Sequence, residues 1–275
     1  MTFKSALSHG AKQLAHLLSA SRDAELLLLR ATGKDRSFLL THSDSELTPS
    51  QQAIYEKWLS RRSRHEPVQY ITGEQEFYGL ALRVTPDVLI PRPETEHLVE
   101  ALLHRVPQFT ALRIADVGTG SGAIAIAIAH LLPQANITAL DNSTAALAVA
   151  QQNAKHHKLA DRIRFRESDL LAAVADETFD AIVSNPPYIP ESELLEPQVR
   201  DYEPHAALFA GPSGLDVHQR LIPQAWKALK PRGWLLMEIG HGQRDALTRL
   251  LTHWNKVDFI HDLQSIPRVA CANRP

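Results

Sequence analysis

The spacing of apolar positions changes along the chain, and the changes divide it. Over residues 1–66 the spacing is helical. Phe3, Ala6, Leu7, Ala11, Leu14, Leu17 and Leu18 mark a first helix; residues 21–31, centred on Leu26, Leu27, Leu28 and Leu29, mark a second. A third carries its own start signal, with Thr48 as cap, Pro49 at the first helical position and Gln51 completing a capping box. It continues through Ile54, Tyr55, Trp58 and Leu59 to Arg61, Arg62 and Arg64, cations suited to a helix C-terminus. This pattern predicts a small all-α bundle.

From residue 67 to 92 the pattern is different. Residues 68–72 and 77–84 are rich in β-branched and aromatic side chains, with breaks at Gly73 and Gly79, which predicts a β-hairpin connector. Pro86, Pro91 and Pro93 then stiffen the chain ahead of a helix over about 94–105. Beyond residue 110, strands at 112–117, 137–140, 163–165, 179–184 and 234–239 alternate with helices at 123–131, 145–157, 215–229 and 244–253. Such alternation predicts an α/β domain over 93–275, a mostly parallel sheet covered by helices on both faces.

Composition narrows the partners. With 44% apolar residues the chain can bury a sizeable core, and its formal net charge of -2 is not that of a protein gripping nucleic acid through phosphates. Direct nucleic-acid binding is therefore not expected. Cys271 is the single cysteine, which excludes an internal disulfide, and the histidines are scattered, so no metal site is expected. The N-terminal stretch, with Lys4, His9, Lys12 and His16, reads neither as a secretion signal nor as a membrane span. A soluble cytoplasmic protein without a membrane partner is the expectation.

Two motifs carry chemistry. The first is Asp116-Val117-Gly118-Thr119-Gly120-Ser121-Gly122, between a predicted strand and a predicted helix. Gly118 and Gly120 permit a tight turn and close approach of a ligand to backbone, and the helix start offers free N–H groups. No Lys-Ser or Lys-Thr follows, so this is not a phosphate-binding P-loop. Asp116 would repel pyrophosphate but attract the ammonium or sulfonium of S-adenosylmethionine. Asp141, nineteen residues after Gly122 at the end of the next strand, is placed to take ribose hydroxyls. Asp169 can accept from an adenine amino group while Leu170 covers the ring. The plainer reading makes the loop a structural corner, Asp141 a helix cap and Asp169 a turn residue.

The second motif is Asn185-Pro186-Pro187-Tyr188, after the apolar strand 179–184. Open α/β sheets place ligands at the carboxyl ends of their strands. An amide or aromatic amine nitrogen is a weak nucleophile, because its lone pair is delocalised and no practical base removes its proton. The Asn185 side-chain oxygen and the Pro186 carbonyl can instead accept from its N–H groups and favour a pyramidal nitrogen. Pro187 has no N–H to compete, the two prolines pre-set the loop, and Tyr188 offers a flat face. The plainer alternative is a rigid turn. Together the motifs predict a methyltransferase acting on a planar amide or amine nitrogen.

At these motifs the chain resembles class I methyltransferases, whose sheet is Rossmann-like with seven strands. It is similar in particular to the HemK/PrmC family, the glutamine-N5 methyltransferases of peptide chain release factors. Pro67-Val68-Gln69-Tyr70-Ile71-Thr72-Gly73, Glu76-Phe77-Tyr78-Gly79-Leu80, Leu89-Ile90-Pro91-Arg92-Pro93-Glu94-Thr95-Glu96, Tyr202-Glu203-Pro204, Ala207-Leu208 and Gly214-Leu215 carry the resemblance. It implies S-adenosylmethionine as cofactor, S-adenosylhomocysteine as product, and a helical first domain that recognises the substrate. The cofactor would lie on Gly118 to Gly122, Asp141, Leu170 and Asn185. The glutamine of the release factor's Gly-Gly-Gln motif would enter over Asn185, Pro186, Pro187 and Tyr188. Position 170 is often aromatic in such proteins; here it is Leu170. Related readings are an adenine-N6 methyltransferase of nucleic acid and a ribosomal-protein glutamine methyltransferase. Locally, Arg92 can pair with Glu94 or Glu96 or help wall the substrate pocket, and Phe77 can belong to the connector core or to that wall.

Overall fold

The computed structural model describes all 275 residues, which divide into two compact units: Met1–Glu74 with Leu195–Tyr202, and Gln75–Leu194 with Glu203–Pro275. The first unit is helical, with α1 (Phe3–Gln13), α2 (Ala20–Thr32), α3 (Arg36–Thr41), α4 (Pro49–Arg62) and α5 (Val68–Thr72). Thr48 and Gln51 form the predicted capping box of α4. Leu14, Leu27, Leu28, Tyr55 and Leu59 are fully buried in one cluster. Beside it lies an ion pair that is itself buried, Arg62 Nε donating to Asp23 Oδ2 at 2.7 Å. Three of the other four Arg62 N–H groups are met by the carbonyls of His65 and Glu66 and by Gln198 Oε1, which offsets much of the cost of burying the guanidinium.

The segment 68–72 departs from expectation. It is a helical turn, not a strand: Thr72 Oγ1 donates back to the Val68 carbonyl, and buried Ile71 joins the helical core. Tertiary burial outweighs the β propensity of Val, Ile and Thr here. The hairpin follows immediately, β1 (Glu74–Phe77) and β2 (Leu80–Arg83), turning at Tyr78 and Gly79, both with left-handed backbone as a two-residue hairpin turn requires.

The second unit continues with α6 (Glu96–Leu103), β3 (Arg113–Val117), α7 (Ala123–Leu131), β4 (Asn136–Asp141), α8 (Thr144–His156), β5 (Ile163–Glu167) and β6 (Phe179–Ser184). The chain passes through α9 (Pro197–Arg200), within the stretch that belongs to the helical unit, and then forms α10 (Asp216–Ala228), β7 (Leu229–Glu238), α11 (Arg244–Leu250), β8 (Asn255–His261) and β9 (Pro267–Asn273). The seven strands of the large sheet run in the order β5-β4-β3-β6-β7-β9-β8. The first five in that order are parallel, and β9 is antiparallel to both β7 and β8.

Alternation along the strands sorts side chains to two faces. Ile114, Val183, Leu236 and Cys271 join the cluster that includes Leu98, Leu102 and Ile124, while Ala115, Ile182, Leu235 and Ala270 join the one that includes Leu221 and Leu247. Both faces are covered, so the sheet is a three-layer core. The strand order reverses between β3 and β6, the topological switch point at which open α/β sheets leave a crevice at their carboxyl ends. No helix is long and apolar enough to cross a membrane.

Candidate active site

Both sequence motifs stand at this switch point. The glycine loop leaves β3 beside the Asn185 loop that leaves β6, and the strands are in register from Ile114 with Ala181 to Val117 with Ser184. Ser184 Oγ donates to the Val117 carbonyl at 2.7 Å, locking the two strand ends. Gly118 has a left-handed φ of 74°, and a Cβ there would stand 3.9 Å from the Asn185 carbonyl oxygen. The absent side chain keeps the space between the loops open.

The loop is held by its backbone. The amides of Gly118 and Thr119 both donate to the Leu140 carbonyl, at 2.8 and 2.9 Å. Asp116 is fully buried, and its Oδ2 accepts from Thr119 Oγ1 at 2.6 Å and from the Ala125 amide at 3.1 Å. Burial pushes its pKa up to about 7 in spite of these bonds. Its Oδ1 is buried without a partner. An acceptor of that kind fits a cationic group bound beside it, but its burial makes Asp116 a clamp of the loop first. Thr119 and Ser121 are likewise buried; Thr119 turns inward to Asp116, and the Ser121 carbonyl accepts from Asn153 Nδ2 at 2.8 Å. Asn153, which sequence reading passed over, also exchanges bonds with both the amide and the carbonyl of Arg83, tying the hairpin to the loop.

Asp141 ends β4. Its Oδ2 accepts from the Gly120 amide at 2.8 Å and its Oδ1 from the Ser143 amide at 2.9 Å, while burial raises its pKa. The cap of α8 is Ser143, whose Oγ accepts from the Ala146 amide, so Asp141 is not the helix cap. Asp169 is exposed and pairs with Arg220 at 2.5 Å. It lines a depression of about 460 Å³ with Asn142, Glu167, Ser168, Ala172 and Ala173, at the carboxyl ends of β4 and β5. Leu170, half-buried against the second core face, follows with a left-handed φ of 52°. Gly118 to Gly122, Asp141, Asp169 and Leu170 therefore stand at or after the carboxyl ends of the adjacent strands β3, β4 and β5.

On the other side, Asn185 is half-buried and Pro186 buried. Asn185 Nδ2 donates to Thr95 Oγ1 at 3.2 Å, and Thr95 Oγ1 donates to Glu238 Oε2 at 2.6 Å. The Tyr188 hydroxyl donates to Glu238 Oε1 at 3.2 Å. Burial, with Glu238 alongside, raises the Tyr188 pKa further and keeps the phenol protonated. The Tyr188 backbone is clamped as well. Gln243 Nε2 donates to both the Tyr188 and Gly214 carbonyls at 3.0 Å. At Gly214 (φ 70°) a Cβ would lie 2.2 Å from the Tyr188 carbonyl oxygen, which explains the glycine.

Arg92 pairs with neither Glu94 nor Glu96. It reaches Glu203 at 2.5 Å, and Glu203 Oε2 also accepts from the Ile90 amide. Glu96 accepts instead from the Tyr78 amide at the hairpin turn. Phe77 is buried in the first core cluster. Glu238 and Thr95 were missed as site residues. The available signal was an acid at the end of an otherwise apolar strand, after Leu235, Leu236 and Met237.

Two family models match the chain: the PrmC N-terminal domain over residues 5–73 and the methyltransferase small domain over residues 94–199. A release factor glutamine methyltransferase of Koribacter versatilis is 46% identical over 280 residues, spanning 100% of this chain and 99% of that protein. One from Salmonella typhimurium is 40% identical, with 98% of each chain covered. Among solved structures, a Pyrococcus furiosus methyltransferase aligns at TM-score 0.53 with 16% identity, covering 82% of this chain and 99% of that one. A Thermus thermophilus 16S rRNA methyltransferase in complex with AdoMet and guanosine aligns at TM-score 0.55 with 19% identity, covering 74% and 50%. These structural likenesses concern the fold of the sheet domain.

Proposed function

The chain belongs to the release factor glutamine methyltransferases, and on that premise we propose that it transfers the methyl group of S-adenosylmethionine to the side-chain amide nitrogen of the glutamine in the Gly-Gly-Gln motif of peptide chain release factors. The observation that carries the reading is the placement of Asn185-Pro186-Pro187-Tyr188 beside the glycine loop at the switch point, where only a Cβ added to Gly118 would come within 3.9 Å of the Asn185 carbonyl oxygen.

The residues at the crevice fit the cofactor. Gly118 to Gly122 present backbone to its amino-acid end, with the unpartnered Asp116 Oδ1 supplying negative potential for its cation. Asp141 takes ribose hydroxyls with the lone pairs that its bonds from the Gly120 and Ser143 amides leave free. Asp169 borders the depression that takes the adenine, and Leu170 follows it in the chain. When bound, S-adenosylmethionine would supply an electrophilic methyl group, its sulfonium C–S bond breaking with the electron pair left on the sulfur of S-adenosylhomocysteine.

The protein's share is alignment. Asn185 Oδ1, which no intramolecular donor reaches, accepts one substrate N–H, and the Pro186 carbonyl accepts the other. Holding both draws the lone pair out of conjugation and aims it at the methyl carbon. The bond forms on nitrogen, and the surplus proton leaves from nitrogen through its acceptor to water. The Tyr188 ring covers the planar amide, its orientation fixed by Glu238 and Gln243. No group in this set needs to act as a strong base. The helical unit recognises the release factor, and such a substrate places the reaction in the cytoplasm.

Transfer of labelled methyl from S-adenosylmethionine tests the reading. The acceptors are a purified release factor, its Gly-Gly-Ala variant and adenine-rich DNA. Label on the intact release factor alone is expected. Label on DNA would replace the reading with an adenine-N6 methyltransferase, and label on the Gly-Gly-Ala variant would displace the acceptor.

A further inference from the structure

We propose that Thr95 and Glu238 are positioning residues that fix which way the Asn185 amide faces, so that its oxygen and not its nitrogen meets the substrate. The inference rests on Asn185 being the acceptor for the substrate amide.

A primary amide can turn over without changing shape, and the turn exchanges an acceptor for a two-proton donor. With oxygen outward, Asn185 holds a substrate N–H. With nitrogen outward it would set N–H against N–H and offer a proton to the lone pair that must attack. The wrong orientation removes the nucleophile as well as the alignment, so it has to be suppressed.

The suppression follows from counting protons. The Thr95 hydroxyl has a single proton, and an ionised carboxylate only accepts. The 2.6 Å contact to Glu238 Oε2 therefore commits the Thr95 proton to Glu238. What Thr95 Oγ1 offers to Asn185 is a lone pair, and only Nδ2 can meet it, at 3.2 Å. Thr95 is 3% exposed and Glu238 2%, so water cannot readily take either partner's place. Tyr188 occupies the other Glu238 oxygen. One carboxylate thereby fixes two consecutive elements of the motif, the Asn185 amide and the Tyr188 ring.

Glu238 is held rigidly. Its backbone pairs with Val269 on β9, and its carbonyl faces His218 Nε2 on α10 at 3.0 Å. The charged and titratable groups around it are Tyr188, Glu94 from the 3-10 turn before α6, Arg268 on β9 and His218. Burial pushes the Glu238 pKa up to about 7; bonds from Thr95 and Tyr188 lower it, Glu94 raises it and Arg268 lowers it. Burial holds His218 low, so it faces Glu238 as a neutral ring. A protonated Glu238 can donate to Thr95, releasing the Thr95 proton toward Asn185 and admitting the wrong orientation. The relay thus adds an acid limb to the methyl-transfer rate.

The test is single-turnover methyl transfer to the release factor at saturating cofactor, with cofactor affinity titrated in parallel. Thr95→Val is expected to lower the rate constant about 10-fold or more, since small losses of alignment are costly, with cofactor Kd unchanged. Thr95→Ser, which keeps the hydroxyl, restores the rate. In an Asn185→Ala background Thr95→Val has no further effect, because no amide remains to be oriented. Glu238→Gln can donate to Thr95, and it both slows transfer and removes the acid limb, which covers the case in which Thr95→Val fails to fold. A wild-type rate in Thr95→Val, a multiplicative loss in the double variant, or an acid limb that persists in Glu238→Gln overturns the relay. Wild-type enzyme in the same assay separates the claims: label on the release factor together with any of those variant outcomes sinks the relay alone, whereas no label on the release factor sinks the acceptor assignment and the relay with it.

Discussion

Asp116 and Glu238 stand at the carboxyl ends of two strands in one sheet, β3 and β7, and burial pushes the pKa of each up to about 7. Their partners differ. Asp116 holds the loop's own fabric, an amide at Ala125 and the inward hydroxyl of Thr119, and keeps one oxygen unpartnered. Glu238 holds side chains, Thr95 and Tyr188, with both oxygens engaged. The glycine loop is thus set for shape, so that backbone can approach a ligand. The Asn185 loop is set for direction, its side chains held by named partners, as the proposed alignment of a reacting nitrogen requires. The proposed function assigns Asp116 to binding and Glu238 to chemistry.

The sharpest way to break this division is to join the two loops. Gly118→Val puts a β-branched side chain at a left-handed φ and into the gap beside the Asn185 carbonyl. It is expected to abolish cofactor binding and turnover together, each by more than about 10²-fold given strain and misplacement. Calorimetric titration of cofactor and the methyl-transfer assay check this, with circular dichroism to confirm the fold. Next in size is Asp141→Ala. Loss of charge-assisted bonds to ribose should weaken cofactor Kd by roughly 10- to 10²-fold, with the saturated rate little changed. An unchanged Kd would contradict the ribose assignment.

A smaller effect follows from the raised pKa values. Folded Asp116 and Glu238 bind protons more readily than the unfolded chain does, so their contribution to stability is full below the ordinary carboxylate range and is lost as pH rises toward about 7. Asp116→Asn should flatten that decline, seen as a smaller drop in urea midpoint between pH 5 and pH 7.5 than in wild type. An equal drop in both proteins would contradict the burial argument. Smallest is Leu170→Phe. Position 170 follows Asp169 at the rim of the depression, and an aromatic side chain turned onto a bound adenine is expected to add about 0.5–1.5 kcal/mol of ring contact, tightening cofactor binding several-fold without change in the saturated rate.

Sequence alone was informative where one local signal sufficed. The helix Ala123–Leu131 and the strand Phe179–Ser184 have the bounds their apolar runs predict, because a buried central strand and the helix packed on it need little beyond hydrophobicity. The last two strands were not legible. Asn255–His261 is an edge strand with mostly exposed or half-buried residues, and Pro267–Asn273 opens with Pro and is rich in small residues. Their strand state comes from pairing with β7 and with each other. Only the family resemblance implied seven strands. At the site, Asn185 and the glycine loop could be picked out because unusual residue types sit in a short run. Glu238 lies 143 residues from Thr95, Arg92 111 residues from Glu203, and no local pattern connects such partners.

The most direct test of the division is Asn185→Ala, measured as the single-turnover rate constant for methyl transfer to the release factor against the cofactor Kd on the same preparation. The expected result is a rate lower by roughly 10²-fold or more, by analogy with losing one oriented transition-state partner, and a Kd changed only slightly. A near-normal rate, or a loss of cofactor binding that accounts for the slower rate, would contradict it.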